Sequence, residues 1–264
     1  MRKLAILAFA LAACGSDGKV IPEPVDSQPA DTQPPDTQPP PPDAQVLDTS
    51  CAANPAPTTA TATMTASGSV TEFSQAAQDP VPDATVDVCK GDCTGNDLLD
   101  SSTTDSVGAF TTAAIATNSV PLDGYLKISK PKSGLLTTNV APSEPIIADL
   151  ANVPGVMISQ ATLNMLAMFG FTQDPTNGLL LLAVTDCATQ PIGGADVTLD
   201  TGGTVIDLGG IIAQAAGTYL VLDVPVGTTT VTVVAGGTTF RARTLPVFAN
   251  EVTLTQVTPG FAAP

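Results

Sequence analysis

No histidine and no tryptophan occurs in this 264-residue chain, which has two tyrosines and nine lysines or arginines. Each shortage removes a class of function. Without imidazole, a Ser-His-Asp triad, a Cys-His pair or a zinc-histidine site cannot be assembled. Without tryptophan, and with Tyr125 and Tyr219 as the whole tyrosine complement, ring platforms for sugars are scarce. Against the nine cations stand 25 acids, and a net charge of −16 repels nucleic acid and anionic head groups. No apolar run reaches the roughly 20 residues that a membrane-crossing helix needs. Paired carboxylates can act as acid and base. Here, however, most aspartates adjoin Gly, Pro or Thr, where turn formation accounts for them. Ser129-Lys130 and Lys132-Ser133 are nucleophile-base neighbours in sequence, but neighbours on a strand point apart, so they read as exposed charge. No catalytic residue and no cofactor is expected, and the chain reads as non-enzymatic.

The N-terminus carries an address. Met1-Arg2-Lys3 precedes an apolar run from Leu4 to Leu11, then Ala12-Ala13-Cys14-Gly15. Cations, a short apolar core and small residues before a cleavage point make a secretory signal, residues 1–13. Leu11-Ala12-Ala13-Cys14 resembles the lipobox of bacterial lipoproteins. That resemblance implies diacylglycerol on the Cys14 thiol, cleavage before it and acylation of the new amino terminus. Two or three acyl chains, at roughly 0.8 kcal/mol per buried CH₂, would make the lipid the protein's membrane partner. Gly15 stands where an inner-membrane retention signal places Asp. By resemblance to lipoprotein sorting in Gram-negative bacteria, the outer membrane or cell surface is expected.

Residues 14–50 read as a disordered linker. From Lys19 to Ser50 there are nine prolines and the near-repeat Asp31-Thr-Gln-Pro-Pro and Asp36-Thr-Gln-Pro-Pro-Pro-Pro, without an aromatic residue. Such a composition buries too little surface to offset its ordering entropy. Polyproline II geometry at about 3.1 Å per residue gives a reach on the order of 100 Å. Cleavage of the signal removes Arg2 and Lys3 and leaves a net charge of −18, and seven of the acids lie between Asp17 and Asp48.

The remainder is all-β in texture, with Thr, Val and Ala alternating between Gly, Pro and Asp turns. It repeats itself. Pro80-Val81 leading to Ala84-Thr-Val86-Asp-Val88 returns 111 residues later as Pro191-Ile192 leading to Ala195-Asp-Val197-Thr-Leu199. Asp105-Ser-Val-Gly108-Ala-Phe110 parallels Ala216-Gly217-Thr-Tyr219, and Val120-Pro121-Leu-Asp-Gly124 parallels Val224-Pro225-Val-Gly227. The order Gly68-x-Val70, Pro80-Val81, Ala84-x-Val86 and Thr104-Asp105-x-x-Gly108-x-Phe110 resembles carboxypeptidase regulatory-like domains. Asp186, Pro191, Gly194-Ala195-x-Val197 and Gly217-x-Tyr219 resemble the same pattern. The resemblance implies two tandem transthyretin-like β-sandwiches, the first over 51–150 and the second over 177–264, and implies no peptidase activity by itself. A generic immunoglobulin-like sandwich fits the composition as well. The acidic insertion from Cys89 to Ser102 departs from the pattern and leaves the first strand count open.

A helical connector is expected over 151–176. Within it, Val156 to Gly170 reads as helix, capped by Ser159 and closed at Gly170, with Leu163, Leu166 and Ala167 on one face and Met165, Met168 and Phe169 widening it. That face is expected to pack between the sandwiches. With Cys14 lipidated, four cysteines remain, as a disulfide framework requires. Cys89 and Cys93 flank Lys90-Gly91-Asp92, read as a hairpin tip, which favours Cys89–Cys93 and leaves Cys51–Cys187 by elimination. Four thiolates around zinc are the alternative. Asp92, Asn96, Asp97, Asp100 and Asp105 are weak oxygen-ligand candidates for calcium, without EF-hand spacing. The chain as a whole reads as a surface-anchored pair of modules for an envelope or extracellular protein partner or for envelope structure, with carbohydrate binding as the alternative.

Overall fold

The computed structural model describes residues 47–73, 78–167, 170–210 and 215–261. The segment read as a signal, Cys14, and the segment read as a linker up to residue 46 lie outside the described residues. Residues 47–50, expected in the linker, do not behave as one. Leu47 packs against the second sandwich's core, and Cys187 donates its N–H to the Asp48 carbonyl at 2.9 Å.

The first copy contributes ten strands. They are β1 (Thr63–Met64), β2 (Ala66–Phe73), β3 (Gln78–Pro80), β4 (Thr85–Cys89), β5 (Leu98–Thr103), β6 (Ala109–Thr111), β7 (Ile115–Ala116), β8 (Tyr125–Ser129), β9 (Thr138–Ala141) and β10 (Leu150–Ile158). After α1 (Gln160–Ala167) come β11 (Gly178–Val184), β12 (Asp196–Leu199), β13 (Thr204–Asp207) and β14 (Thr218–Val224). The chain ends with β15 (Gly227–Ala235), β16 (Thr238–Thr239), β17 (Arg243–Val247) and β18 (Val252–Val257). The described residues are thus almost entirely β, with one short α-helix.

The repeat seen in the sequence reappears in the strand pairing. In the first copy β2 pairs parallel with β10 and antiparallel with β6, while β8 lies antiparallel between β4 and β9. In the second, β11 pairs parallel with β18 and antiparallel with β14, while β15 lies antiparallel between β12 and β17. Each copy is therefore two sheets. The Cys89–Ser102 insertion becomes the β4–β5 hairpin, which extends the first copy's second sheet, whereas β13 joins the other sheet of its copy by pairing with β14.

The two sandwiches share a sheet. β9 pairs in parallel with β18, fusing one sheet from each copy into the eight-stranded order β13-β14-β11-β18-β9-β8-β4-β5. Leu181, Leu254 and Val140 are registered across β11, β18 and β9 and share one face. On that face β2 and β10 cover the first copy, burying Val70, Val86, Val88, Leu126, Ile128 and Met157 together. Leu182, Thr255 and Ala141 take the other face, where β12, β15 and β17 cover the second copy. The covering sheets thus lie on opposite sides of the shared one. β11 consequently buries Leu180 and Leu182 on one side and Leu179 on the other, so it is apolar throughout rather than alternating. Each such side chain, fully buried, contributes about 1.5–3 kcal/mol.

The helix starts later than the sequence suggests. The β-branched Val156 and Ile158 belong to β10, so residues 150–158 complete the first sandwich instead of opening a connector. Ser159 does cap α1, its Oγ accepting from the Thr162 N–H at 3.3 Å, and Gly170 follows the helix with φ +86°. Leu163 is buried in one cluster with Leu136 and Ile158 of the first copy and Leu179, Leu220 and Val252 of the second. Ala167 is exposed, and the side chains of Met165, Leu166, Met168 and Phe169 lie outside the described residues.

Candidate functional site

Both disulfides form as paired from the sequence, so none of the four thiols is free to hold zinc. Cys51–Cys187 has a Cα–Cα distance of 5.6 Å across 136 residues and ties the entry of the folded body to the first turn of the second copy. Cys89–Cys93 has a Cα–Cα distance of 4.8 Å. The hairpin tip is longer than the three residues expected. The Lys90 N–H reaches the Asp97 carbonyl, and a 3₁₀ turn fills Gly95–Asp97. The disulfide braces one arm of this tip, and the Tyr125 hydroxyl, donating to the Gly91 carbonyl at 3.2 Å, braces its floor.

Among the calcium candidates, Asp92 and Asp105 are engaged in turns. Asp92 Oδ1 accepts from the Thr94 hydroxyl at 2.7 Å and the Thr94 N–H at 3.0 Å, and these two bonds hold its carboxyl below the usual range. Asp97 lies 3.9 Å from Lys90, Asp100 accepts from the Ala113 N–H, Asp105 accepts from the Val107 and Ala109 N–H groups, and Asn96 is exposed. Among the described residues no three acidic or thiol groups converge on a common metal position. Ser133 is likewise a turn residue, its Oγ bonded to the Lys130 carbonyl and the Leu135 N–H. Tyr125 and Tyr219 are 4% and 1% exposed, so neither ring is a platform for a sugar.

What the sequence did not single out lies where the copies meet. A cleft of about 320 Å³ is lined by Pro121, Asp123 and Pro145 of the first copy and Arg241, Arg243 and Phe261 of the second. Arg241 precedes β17 and Arg243 opens it, and both line the cleft, a pairing visible in Arg241-Ala242-Arg243. The Arg241 guanidinium sits 3.7 Å from the centroid of the Phe261 ring and donates to the Ser143 carbonyl. Arg243 donates to the Pro142 carbonyl and lies 4.0 Å from Asp123, while its Nε is buried without a partner. Burial holds both guanidinium groups below the ordinary arginine range, with the Arg243 charge adding to the effect on Arg241. Two planar donors fixed by backbone carbonyls suit recognition of a carboxylate, because their orientation is set before contact.

Elsewhere between the copies, Glu251 bonds to Lys127 and Asn139. Lys127 Nζ is 3.0 Å from Glu251 Oε1, and Asn139 Nδ2 donates to Glu251 Oε2 at 2.9 Å. Burial, and next the Glu251 charge, pushes the neighbouring Tyr125 phenol up to about 12.

No family model and no curated protein sequence matches the chain. Solved structures that match include the shaft pilin SpaA of Lactobacillus rhamnosus GG, at 13% identity over 76% of this chain and 100% of that one, with a TM-score of 0.25. The Bacillus anthracis TIE protein matches at 11% identity over 75% of this chain and 34% of its own, with a TM-score of 0.24. A type II cohesin–X-dockerin complex of Acetivibrio cellulolyticus matches at 21% identity over 36% of this chain, with a TM-score of 0.25, and the chain spans 58% of that relative's length. These scores lie far below that of a shared overall fold, and the roles of the matched proteins do not transfer on that basis.

Proposed function

We propose that this protein is a lipid-anchored envelope protein that displays two fused β-sandwiches to a protein partner. One observation carries the reading. The chain joins the folded body from Leu47 to Cys51, and the disulfide from Cys51 to Cys187 ties that stretch directly to the second copy. The second copy in turn shares its sheet with the first through β9 and β18. A tether at the N-terminus therefore holds both sandwiches as one body, which suits display better than a single module on a string. The lipobox resemblance at Cys14 supplies the anchor, Gly15 favours the outer membrane, and the Arg241–Arg243 cleft is the surface offered to an acidic partner. Metabolic labelling with a palmitate analogue tests the anchor. The parent is labelled and Cys14→Ser is not, and equal absence of label in both would end this reading. Protease treatment of intact cells tests the mount, since cleavage before residue 47 is expected to release both sandwiches in one fragment.

A further inference from the structure

Lys127 and Asn139 form a directly opposed pair on β8 and β9. Their strand neighbours Leu126 and Val140 point into the first core, so Lys127 and Asn139 point the other way, toward the second copy. There Glu251 waits, its backbone carbonyl held by the Leu179 N–H at 3.0 Å. The Phe248 ring covers Lys127, with Nζ 4.9 Å from its centroid, and leans on Tyr125 at 5.9 Å between centroids. Asn139 is 0% exposed, and its Oδ1 is buried without a hydrogen-bond partner.

An amine, a carboxamide and a carboxyl group bonded to both thus meet between the copies, the carboxamide buried and the Lys127 and Glu251 side chains 26% and 18% exposed. A structural ion pair accounts for Lys127 and Glu251 but leaves the orphaned Asn139 oxygen unexplained, and an unsatisfied buried acceptor costs about 1–3 kcal/mol. Nor does a buried ion pair gain much over apolar packing. We infer that Lys127 and Asn139 join in an intramolecular amide bond, Nζ to Cγ, with Glu251 relaying the protons.

The step balances within these three residues. The Lys127 ammonium passes a proton to Glu251 across their 3.0 Å contact, giving a neutral amine beside a neutral carboxyl group. Turning the Asn139 carboxamide over brings Oδ1 to the Glu251 O–H, which then stabilises the oxyanion that develops as Nζ attacks Cγ. The Nζ–Cγ bond forms, a second proton moves from Nζ through Glu251 to Nδ2, the Cγ–Nδ2 bond breaks and ammonia leaves. Nothing is oxidised or reduced. The bond would lock β8 to β9 beside the β9–β18 pairing that joins the sandwiches. Its existence does not depend on lipidation or on any partner.

Peptide mapping of the reduced, full-length protein by mass spectrometry tests this. The expected result is a Lys127 peptide linked to an Asn139 peptide, lighter by one ammonia than the two alone, with Lys127 refractory to trypsin and to amine-acylating reagents. Glu251→Gln, checked for folding by its circular dichroism and intact disulfides, is expected to give the unlinked peptides. Unlinked parent peptides with a reactive Lys127 would overturn the inference. A folded Glu251→Gln variant linked as fully as the parent would overturn the role given to Glu251.

Discussion

Thr104 and Tyr219 deliver a hydroxyl to equivalent points in the two copies. In the first, the Ala84 N–H donates to Thr104 Oγ1 at 2.8 Å and that hydroxyl donates to the Val81 carbonyl at 2.7 Å. In the second, the Ala195 N–H donates to the Tyr219 hydroxyl at 2.7 Å and the hydroxyl reaches the Ile192 carbonyl at 3.4 Å. Ala84 and Ala195, like Val81 and Ile192, are separated by the 111-residue repeat. The turn entering each copy's second strand leaves the same two backbone groups to be satisfied. A short side chain satisfies them in one copy and a long one from another strand in the other.

Thr104→Val and Tyr219→Phe remove the hydroxyl and keep most of the shape. Each leaves a buried N–H and a carbonyl without that partner, so each is expected to destabilise by about 1–3 kcal/mol in urea unfolding. Because the two sites sit in different sandwiches, the double variant is expected to lose the sum within about 0.5 kcal/mol. A larger discrepancy would show that the shared sheet couples the two turns.

Gly108 and Gly217 are a second matched pair. Both have φ +76°, and their carbonyls accept from Val70 N–H and Val184 N–H at 2.8 and 2.7 Å. A Cβ on Gly217 would lie 2.8 Å from the Val184 oxygen, and one on Gly108 would press on the Val70 oxygen. Alanine at either position is expected to destabilise by at least about 1–2 kcal/mol, from the left-handed backbone alone. Equal stability of parent and variant in urea would contradict this placement of the turns.

These turns are why the repeat is legible in the sequence. A glycine at positive φ and a proline ahead of a strand meet backbone requirements that no other residue meets as well, so they stay in place while the strands between them change. The joining of the copies has no such signal. β9 and β18 pair through Thr138 and Val252, 114 residues apart, with side chains that suit any strand. Glu251 lies too far along the chain from Lys127 and Asn139 for spacing to link them. The start of α1 was blurred because Val156 and Ile158 carry apolar character that serves a strand and a helix alike. Ser159, whose hydroxyl has a local task, marked the true boundary. The cysteines were legible because a count of four and one short spacing leave few pairings.

The two disulfides are expected to differ in worth. In the chain-entropy model, closing a loop across 136 residues contributes about 5 kcal/mol and closing one across 4 contributes about 2 kcal/mol. Cys51→Ala with Cys187→Ala is therefore expected to lower the urea midpoint more than Cys89→Ala with Cys93→Ala. The reverse ranking would show that the β4–β5 tip needs its brace more than the entry point needs its clamp.

Alkaline pH offers a test of the buried phenols. Folded Tyr125 holds its proton to about 12, through burial first and the Glu251 charge second, whereas an unfolded tyrosine ionises near 10. Between those values the native state carries a proton that the unfolded state has lost. The stabilisation is complete below about pH 10 and falls away as pH rises toward 12. Tyr219 is shifted in the same direction, again by burial first, and adds to the slope. Tyr125→Phe keeps the ring against Phe248 but loses the bond to Gly91, so below about pH 10 its melting temperature lies under the parent's by a constant amount. What distinguishes ionisation from that constant loss is the slope, which is expected to be shallower than the parent's between about pH 10 and 12. Parallel melting curves for the two proteins across that interval would mean that the native fold does not hold the Tyr125 proton.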